Sequence, residues 1–405
     1  MESIILIILQ ILSLTIIFWL SFPFITSLLA HLKGYRSPKT DVQESDFACV
    51  ITVYNNLDIA VPLVESLLQQ RYSNYEIYLV ADNVSVKDFP LSHSRLHVHY
   101  PEPLNSKVMS IKRAMDIFIR PHEYVAIFDP DNLAHPDFLS EINAFHKKGY
   151  KTVQGKRTAK NLDTAYAALD AMGEYYYDYT VRRVPFVLGS SSTIAGSGMS
   201  IESNIYKKNI DREVAQFHRE GLVVSEDKSL QMELVDSGIR IAYANKAILF
   251  DEKVSTSDQV SRQRTRWLNS YFRHTLDVLI LLLKAIFSGS WNRTLFSLTI
   301  LMPPMIILAG GSIFLILVNL IFQPVWAFAI IGALLLFALT FMLALKLNRA
   351  PSEIWKAIPL IPLFVIRQVL SLLKIRKANK DYMATSHSYF KGFDEVWELR
   401  KKDFE

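Results

Sequence analysis

The sequence predicts an α/β domain, a mostly parallel sheet with helices on both faces, joined to transmembrane helices. Three observations support this fold class. Short apolar runs alternate with segments of helical spacing through the middle of the chain. Long uncharged apolar runs lie near the N-terminus and in the last third. Half of the 405 residues are hydrophobic and the mean hydropathy is +0.18, which is high for a soluble protein.

The first apolar run extends from Ser3 to Ala30 without a charged side chain and exceeds the roughly 20 residues needed to cross hydrocarbon. It predicts a retained transmembrane helix rather than a cleaved signal peptide, because no basic residue precedes it and no small-residue cleavage site follows. Glu2 precedes the run, and three basic residues follow it: Lys33, Arg36 and Lys39. The positive-inside rule therefore places the N-terminus outside and the next segment in the cytoplasm.

Two later apolar runs, Leu295 to Phe322 and Val325 to Leu345, predict a helical hairpin across the bilayer. Three basic residues follow the hairpin: Lys346, Arg349 and Lys356. They mark a return to the cytoplasm, which agrees with the orientation deduced from the first helix.

Two other segments are expected at the membrane surface. Trp267 to Phe287 mixes charged and apolar residues at helical spacing, and prolines and Arg367 interrupt Ile354 to Leu373, which favours an interfacial helix over a fourth span. The predicted organisation is a transmembrane helix over 1–32, a cytoplasmic domain over 33–267, a membrane-interface helix over 268–294, the transmembrane hairpin over 295–346, and an interfacial helix with a cytoplasmic tail over 347–405.

The formal net charge of +5 suits nucleic acid, an anionic membrane surface or a phosphorylated substrate. The basic residues lie mainly beside the membrane segments, so we expect a membrane-lipid partner and no nucleic acid. Cys49 is the only cysteine and lies in an apolar run. It is predicted to be buried and inert, and the chain has no disulfide framework or thiolate metal cluster.

The domain is predicted to begin with a strand over Phe47 to Val53 and a helix over Asp58 to Gln70, with Asp58 capping its first turn. Further predicted strands are Tyr75 to Val80, Leu96 to Tyr100 and Tyr124 to Phe128, and further predicted helices are Asn105 to Ile119 and Pro136 to His146. In open α/β sheets, ligands bind beyond the carboxyl ends of strands. The polar residues in those positions are Asn55, Asp82, Asp129 and Asp131.

Two carboxylates stand two residues apart in Asp129-Pro130-Asp131, directly after a predicted strand. Mg²⁺ or Mn²⁺ prefers hard oxygen ligands and can bridge such carboxylates to a diphosphate. A turn in which Asp caps and Pro restricts φ would use the same residues. The position at a strand end favours the metal site.

Ser225-Glu226-Asp227 opens a segment of helical character, Lys228 to Val235. Acidic residues at a helix N-terminus are favourable for stability alone. The functional interpretation is a general base that takes a proton from an acceptor hydroxyl. The motif by itself favours the structural interpretation.

Three arginines and a tryptophan lie close together in the segment Ser261 to Trp267. Arginine forks match diphosphate oxygens and tryptophan can stack on a sugar, whereas a basic membrane anchor would use the same residues. The tract Gly189 to Gly198 allows a close backbone approach to a ligand, and an ordinary flexible loop explains it equally well.

Together and in this order, the motifs resemble the family 2 glycosyltransferases, in particular the membrane branch that includes cellulose, chitin and hyaluronan synthases and ceramide glucosyltransferase. The ordered set is Val53-Tyr54-Asn55-Asn56, Ala81-Asp82-Asn83, Lys107, Asp129-Pro130-Asp131, Gly196-Ser197-Gly198, Ser225-Glu226-Asp227 and Gln263-Arg264-Thr265-Arg266-Trp267. The last element matches the Gln-(Gln or Arg)-x-Arg-Trp signature and is the most specific. The chain departs from the family with Val-Tyr-Asn-Asn where Pro-x-Tyr-Asn-Glu is usual, and with fewer spans than cellulose or hyaluronan synthases.

The resemblance implies a GT-A type nucleotide-sugar-binding domain with Mg²⁺ or Mn²⁺ as cofactor. It implies that Asp82 contacts the uridine and that Asp227, with Glu226 beside it, is the catalytic base. The residues that it implies for the nucleotide sugar are Tyr54, Asn55, Asp82, Lys107 and Asp129, and those for the metal are Asp129 and Asp131. The residues that it implies for the acceptor are Gly196, Ser197, Gly198, Gln263, Arg266 and Trp267.

The function so implied is an inverting transfer of a sugar from a UDP-sugar to a hydroxyl acceptor, giving a β-linked polysaccharide or oligosaccharide at the membrane. One alternative is a glycolipid synthase that adds a single sugar to a lipid acceptor. Another is a catalytically inactive membrane scaffold, although none of the expected carboxylates is missing. The expected partners are the donor, a glycan or lipid acceptor and an accessory export subunit, and the expected location is a bacterial plasma membrane with the catalytic domain in the cytoplasm.

Overall fold

The fold is built on one eight-stranded sheet. The computed structural model describes residues 2–221, 226–362, 364–365, 389 and 391–404. The strands within them are β1 Phe47–Tyr54, β2 Tyr75–Asp82, β3 Leu96–His99, β4 Tyr124–Phe128, β5 Leu133–Ala134, β6 Thr152–Ala159, β7 Met199–Glu202 and β8 Ile241–Asp251. Their order across the sheet is β3-β2-β1-β4-β7-β6-β8-β5.

The pairing is mostly parallel, as the sequence predicts. Strands β3, β2, β1 and β4 run parallel to one another, and β6 runs parallel to β8. Strand β7 is antiparallel to β4 and β6, and β5 is antiparallel to β8. The four strands predicted from the sequence are confirmed, and their carboxyl ends meet at one edge of the sheet.

Fourteen helices accompany the sheet in the part of the chain that the structure describes. They are α1 Glu2–Lys33, α2 Val61–Leu68, α3 Lys107–Asp116, α4 Phe138–His146, α5 Ala165–Tyr177, α6 Val184–Val187, α7 Ser203–Glu220, α8 Glu226–Asp236, α9 Ser257–Phe287, α10 Trp291–Leu301, α11 Met305–Phe322, α12 Pro324–Leu347, α13 Ser352–Ala357 and α14 Phe393–Arg400. A π-helix, Asp178–Arg183, connects α5 to α6. Our sequence analysis did not identify α5, α7 or the strands β6 to β8.

Both faces of the sheet are covered, because alternate side chains of β1 enter two different cores. Cys49 and Ile51 pack in the cluster that contains Leu63 of α2. Val50 packs in the cluster that contains Ile111 of α3. Successive strand residues point to opposite faces, so helices must cover each side of a strand that is apolar throughout. The prediction of a buried Cys49 is confirmed.

The predicted helix cap by Asp58 is wrong. Asp58 to Ala60 form a 3₁₀ turn before α2, and no side chain caps that turn or α2 itself. The Asp58 backbone N–H donates instead to the side-chain oxygen of Asn56 at 3.2 Å. The tight turn after β1 is therefore stabilised by the side-chain amide of Asn56 rather than by a cap from Asp58.

Three helices among the described residues are long and apolar enough to cross a membrane: α1 from Ser3, α11 and α12. They pack against one another, and α11 runs opposite to α1. Asn319 donates to Ser13 at 3.0 Å, whereas Gln323, at the end of α11, donates to the Leu6 carbonyl nearer the start of α1 at 3.3 Å. The C-terminal ends of α1 and α12 lie together beside the sheet domain.

The predicted span Leu295 to Phe322 is wrong in its first part. The helix α10 ends at Leu301, and α11 begins only after Pro303 and Pro304. Proline lacks the N–H that would continue the helix and disfavours helical geometry in the residue before it. Phe296 of α10 is fully buried in the core beneath the sheet, so this segment belongs to the sheet domain.

The segment expected at the membrane surface, Trp267 to Phe287, forms the second part of α9. Its exposed apolar side chains include Phe272, Leu276, Leu283 and Phe287, which follow helical spacing. Such a stripe agrees with an interfacial position, which stays a prediction. The other segment expected there, Ile354 to Leu373, begins within α13 and a 3₁₀ turn, and its end lies outside the described residues.

Candidate active site at the strand ends

Four polar side chains join the ends of β1 and β2 to the loop before α3. The Tyr54 hydroxyl donates to Asn105 at 3.0 Å, and Asn83 donates to Asn55 at 2.8 Å. The three asparagines have positive φ angles of 66°, 54° and 50°, in chain order, which asparagine tolerates better than most residues. Tyr54 and Asn55 thus stand at the predicted edge, while Asn83 and Asn105 are contributors that our sequence analysis did not assign.

Asp82 ends β2 and is only 2% exposed. Its carboxylate accepts hydrogen bonds from the Leu104 backbone N–H at 2.7 Å and from the Ser110 hydroxyl at 3.4 Å. The side chain therefore holds the loop before α3 against the strand end. Its contact with a uridine stays a prediction, and its free acceptor positions are limited by these two bonds.

Lys107 joins two motifs that lie far apart in the sequence. It is the first residue of α3, whose N-terminus is capped by Ser106. Its ammonium Nζ lies 2.8 Å from Asp129 Oδ1, just beyond β4, and 3.8 Å from Glu226 Oε1, at the start of α8. The Asp-Pro-Asp and Glu-Asp motifs therefore meet around one lysine, and each of the three side chains is roughly one-third exposed.

Charge and burial act in opposite directions on these groups. Burial would lower the pKa of Lys107, but the Asp129 and Glu226 carboxylates raise it above its ordinary value. The pKa of Glu226 is raised above its ordinary value, mainly by burial. Lys107 lowers this pKa, whereas the neighbouring Asp227 and Asp129 carboxylates raise it. We call Lys107, Asp129, Glu226 and Asp227 the strand-end cluster. With one lysine among three carboxylates, it carries an excess of negative charge.

Asp227 lies beside the glycine loop. A Cβ on Gly196 would stand 3.9 Å from Asp227 Oδ2, and Gly196 has a φ of +82° that favours glycine. The Asp227 Oδ1 atom accepts from the Lys228 backbone N–H at 2.8 Å. The predicted base is thus directed toward the loop expected to shape the acceptor site.

The glycine loop is fixed to the end of β4. The Gly198 N–H donates to the Ile127 carbonyl at 2.8 Å, and a Cβ on Gly198 would meet Leu249 at 2.8 Å. Ser197 is fully buried between the two glycines. A Cβ at Gly198 would press on the end of the Leu249 side chain, and the φ of +62° also favours glycine there, so the loop packs closely against β8.

Asn132 connects the Asp-Pro-Asp motif to a second group of charges. Its side-chain oxygen accepts from the Asp129 N–H at 3.0 Å. Its amide nitrogen donates to Asp131 at 3.4 Å and to Asp251 at 3.1 Å. The Lys160 ammonium donates to the Asp131 carbonyl at 3.2 Å. Asn132 directly follows the motif and was not assigned a role from the sequence.

The second group is a set of buried ion pairs that we call the ion network. Its members are Arg157, Glu174, Asp178, Arg182, Asp251 and Lys253, all with side chains at most 14% exposed. Asp251 lies 2.6 Å from Arg157 and 2.9 Å from Lys253. Burial alone would raise the pKa of Asp251, but Arg157 and Lys253 lower it below its ordinary value.

The residues at the strand ends fit a divalent cation. No three His, Cys, Asp or Glu side chains in the described part of the chain come close enough to enclose a metal by themselves. Mg²⁺ in nucleotide sites is commonly held by one or two carboxylates together with substrate phosphates, and Asp129 and Asp131 supply that number. The negative excess of the strand-end cluster would repel a diphosphate, so a cation between them is electrostatically favourable.

The Gln-Arg-Thr-Arg-Trp motif lies in the first half of α9. Arg264 pairs with Asp170 of α5 at 2.9 Å, and its guanidinium lies 4.5 Å from the ring centre of Trp267. Gln263 has a buried side-chain oxygen without a hydrogen-bond partner among the described residues, whereas Arg266 is exposed. Among the described residues, no hydrogen bond or ion pair joins Gln263, Arg266 or Trp267 to the strand-end cluster, so their acceptor role stays a prediction.

The mostly parallel sheet with helices on both faces is a GT-A type domain. The family model described as glycosyltransferase-like family 2 matches residues 45–270, which is more than half of the chain. The chain belongs to this family.

A solved structure shares the fold. The mannosyltransferase PcManGT from Pyrobaculum calidifontis, in complex with GDP-Man and Mn²⁺, matches with a TM-score of 0.53 and 13% sequence identity. The match covers 92% of this chain and 100% of that chain. No curated protein matches the sequence.

Proposed function

We propose that this protein is an inverting glycosyltransferase that moves a sugar from a UDP-sugar to an acceptor hydroxyl at a membrane surface. One observation carries the proposal: Lys107 brings Asp129 within 2.8 Å and Glu226 within 3.8 Å, next to Asp227. Motifs separated by more than a hundred residues therefore meet where an open α/β sheet binds its ligands. The family membership and the three apolar helices support the same function.

Asp227 would act as the base. Its carboxylate faces Gly196, so an acceptor hydroxyl between them would lose its proton to Asp227 while its oxygen attacks the anomeric carbon. Glu226 would remain paired with Lys107 and keep that ammonium in place. A single displacement of this kind inverts the anomeric configuration and gives a β-linkage from an α-linked donor.

The donor would lie across the ends of β1, β2 and β4. Tyr54, Asn55 and Asp82 would bind the nucleoside, and Lys107 would bind donor phosphates. Asp129 and Asp131 would hold Mg²⁺ or Mn²⁺, which neutralises charge on the departing nucleotide. The structural neighbour was solved with GDP-Man and Mn²⁺, so a GDP-sugar is the donor against which UDP-sugars must be compared.

The product is proposed to be a β-linked polysaccharide or oligosaccharide, exported with the help of an accessory subunit. The second candidate is a glycolipid made by a single addition, favoured by the small number of spanning helices among the described residues. Gly196 to Gly198, Gln263, Arg266 and Trp267 would line the acceptor path in either case. The cytoplasmic side and the bacterial plasma membrane stay predictions of the sequence.

The test uses the full chain reconstituted in lipid vesicles with Mn²⁺ and radiolabelled UDP-sugars and GDP-sugars, each supplied separately. Lipid-extractable label is separated from label of high molecular mass. We expect donor consumption with a UDP-sugar that a chelator abolishes. Label in a polymer would establish the synthase, and label confined to lipid would establish the glycolipid enzyme.

The proposal fails if no donor of either nucleotide is consumed when membrane extract supplies the acceptor. Consumption of a GDP-sugar alone would overturn the uridine assignment of Asp82 but would leave the reaction class in place. Activity that persists after complete metal removal would contradict the role given to Asp129 and Asp131.

A further inference from the structure

Two adjacent arginines in the π-helix Asp178–Arg183 have opposite environments. Arg182 is buried and belongs to the ion network, 2.5 Å from Glu174 and 3.5 Å from Asp178. No described carboxylate lies within ion-pair distance of its neighbour Arg183. A π-helix is rare and occurs frequently at functional sites, so an arginine without a carboxylate partner among the described residues is a candidate binding group.

Arg183 is nevertheless held in a fixed position. Its guanidinium lies 5.4 Å from the ring centre of Tyr35 and 5.8 Å from that of Tyr179. The Tyr35 hydroxyl donates to the Tyr243 carbonyl at 2.8 Å and accepts from the Asn245 N–H at 3.2 Å. The tyrosine faces therefore stabilise a cation whose hydrogen-bond donors remain free.

A cavity of about 70 Å³ lies against this guanidinium. Its walls combine the end of α1, at Ala30 and His31, with the end of α12, at Leu347, and with residues of the π-helix and α6. None of the lining residues is acidic. A small anion can therefore enter without meeting a like charge, and apolar side chains from two apolar helices border it.

The cavity is at the level where the apolar helices meet the sheet domain. Beside it, the Lys33 ammonium and the Trp291 ring both approach Gly189, at 3.9 and 3.8 Å from where its Cβ would stand. The Trp291 ring is 56% exposed, and its indole N–H donates to the Leu188 carbonyl at 2.9 Å. Exposed tryptophan and lysine at the end of an apolar helix are typical of the headgroup region of a bilayer.

We propose that Arg183 binds the phosphate of an anionic phospholipid in the bilayer leaflet that faces the catalytic domain. The guanidinium fork suits two phosphate oxygens, and the acyl chains would continue along the apolar surface near Ala30 and Leu347. The bound lipid would fix the π-helix, and through Arg182 the ion network, against the membrane. This inference rests on the proposed function only in assuming that α1 and α12 cross the membrane.

The test titrates the full chain, purified in detergent, with three probes: phosphatidylglycerol, diacylglycerol of the same acyl chains, and inorganic phosphate. Bound lipid is counted by native mass spectrometry, and the midpoint of thermal unfolding is followed in parallel. We expect saturable binding and a raised midpoint with phosphatidylglycerol alone. In Arg183→Gln, the two charge-assisted hydrogen bonds from the guanidinium to the phosphate are lost. The affinity for phosphatidylglycerol should therefore fall about tenfold or more.

The matched control is Arg95→Gln, which also removes an arginine stacked on a tyrosine, 4.8 Å from the centre of the Tyr75 ring. It should bind phosphatidylglycerol like the unmodified chain. If Arg183→Gln does not fold, Arg183→Lys keeps the charge without the fork and should show a smaller loss of affinity.

Equal binding of diacylglycerol, or unchanged affinity in both Arg183 variants, would overturn the inference. Inorganic phosphate that stabilises the chain as strongly as the lipid would show a general anion site and would overturn the lipid source. Flotation with phosphatidylcholine vesicles checks membrane insertion separately. A chain that floats and transfers sugar but shows no Arg183-dependent lipid binding refutes this inference alone.

Discussion

The strand-end cluster and the ion network contain the same kinds of side chain and lie on either side of Asn132, yet they differ in charge balance. In the ion network three cations face three carboxylates, and every side chain is nearly buried. In the strand-end cluster, Lys107 faces three carboxylates, and the side chains are partly exposed. The charges of the ion network are balanced, whereas the strand-end cluster has more carboxylates than cations.

Charge balance and exposure together distinguish a structural group of charges from a functional one. Buried ions without partners are costly, so a buried network must be neutral and closed. A group of charges with an excess of one sign is stable only where water, a cation or a substrate can contact it. Substitutions in the two groups should therefore change different properties. Three experiments test this separation, and a fourth concerns a buried titratable side chain outside both groups.

The largest effect is expected for Asp227→Asn. Removal of a general base should reduce turnover by about 10²- to 10⁴-fold, with little change in nucleotide affinity or thermal stability. Turnover and nucleotide binding are measured on the same reconstituted sample. The control is Asp236→Asn at the other end of α8, where the carboxylate pairs only with Lys284 at the surface. A comparable loss of nucleotide affinity in Asp227→Asn would contradict the role of base.

Glu174→Gln should have the opposite signature. Arg182 and Lys253 share the Glu174 carboxylate, which lies 2.5 Å from the first and 3.6 Å from the second. The substitution removes this charge, and breaking a buried ion pair costs about 3–5 kcal/mol. Thermal unfolding measures the loss, with the exposed Glu65→Gln as control. If the stability is unchanged while turnover falls, the distinction between the two groups is wrong.

Asn132→Ala should affect both groups because Asn132 touches both. It orients the Asp129 backbone and the Asp131 carboxylate, and residues that orient metal ligands contribute about 10- to 100-fold to metal affinity. Nucleotide binding is measured as a function of Mn²⁺ concentration, with the exposed Asn204→Ala as control. Unchanged Mn²⁺ dependence would argue against the metal site.

The smallest effect concerns His146, a buried side chain that is neutral rather than paired. It bonds the Tyr150 carbonyl at 2.7 Å and the Ser200 hydroxyl at 2.9 Å. Burial lowers the pKa of His146 from 6.5 to about 3, so the unfolded chain binds a proton more readily between these values.

The free energy of unfolding should therefore fall as pH decreases through this window, by about 1 kcal/mol between pH 7 and pH 5.5. His146→Asn keeps an amide able to hydrogen-bond but removes the titration, so it should lessen the pH dependence of the unfolding midpoint. An identical pH profile in the variant would show that other groups dominate.

Much of the fold was predictable because its signals are local. Apolar strands such as Tyr124 to Phe128 and the apolar helix α1 are visible as periodicity and length in the sequence. The strand-end position of Asp129 follows from the same signal. The wrong start of the predicted span also has a physical reason. Hydropathy does not show that Pro303 and Pro304 divide the apolar run into two helices, although prolines are a recognised signal for a helix end.

The sequence alone determined the strands β1 to β4, the apolar helices α1 and α12 and the carboxylates that end the strands, because these properties depend on neighbours within a few residues. Only the tertiary structure decided that Lys107 pairs with Asp129 and approaches Glu226, or that Arg182 is neutralised while the adjacent Arg183 is not. The partners in each case come from distant parts of the chain. The charge environment of a side chain is a sum over spatial neighbours, and no local pattern encodes it.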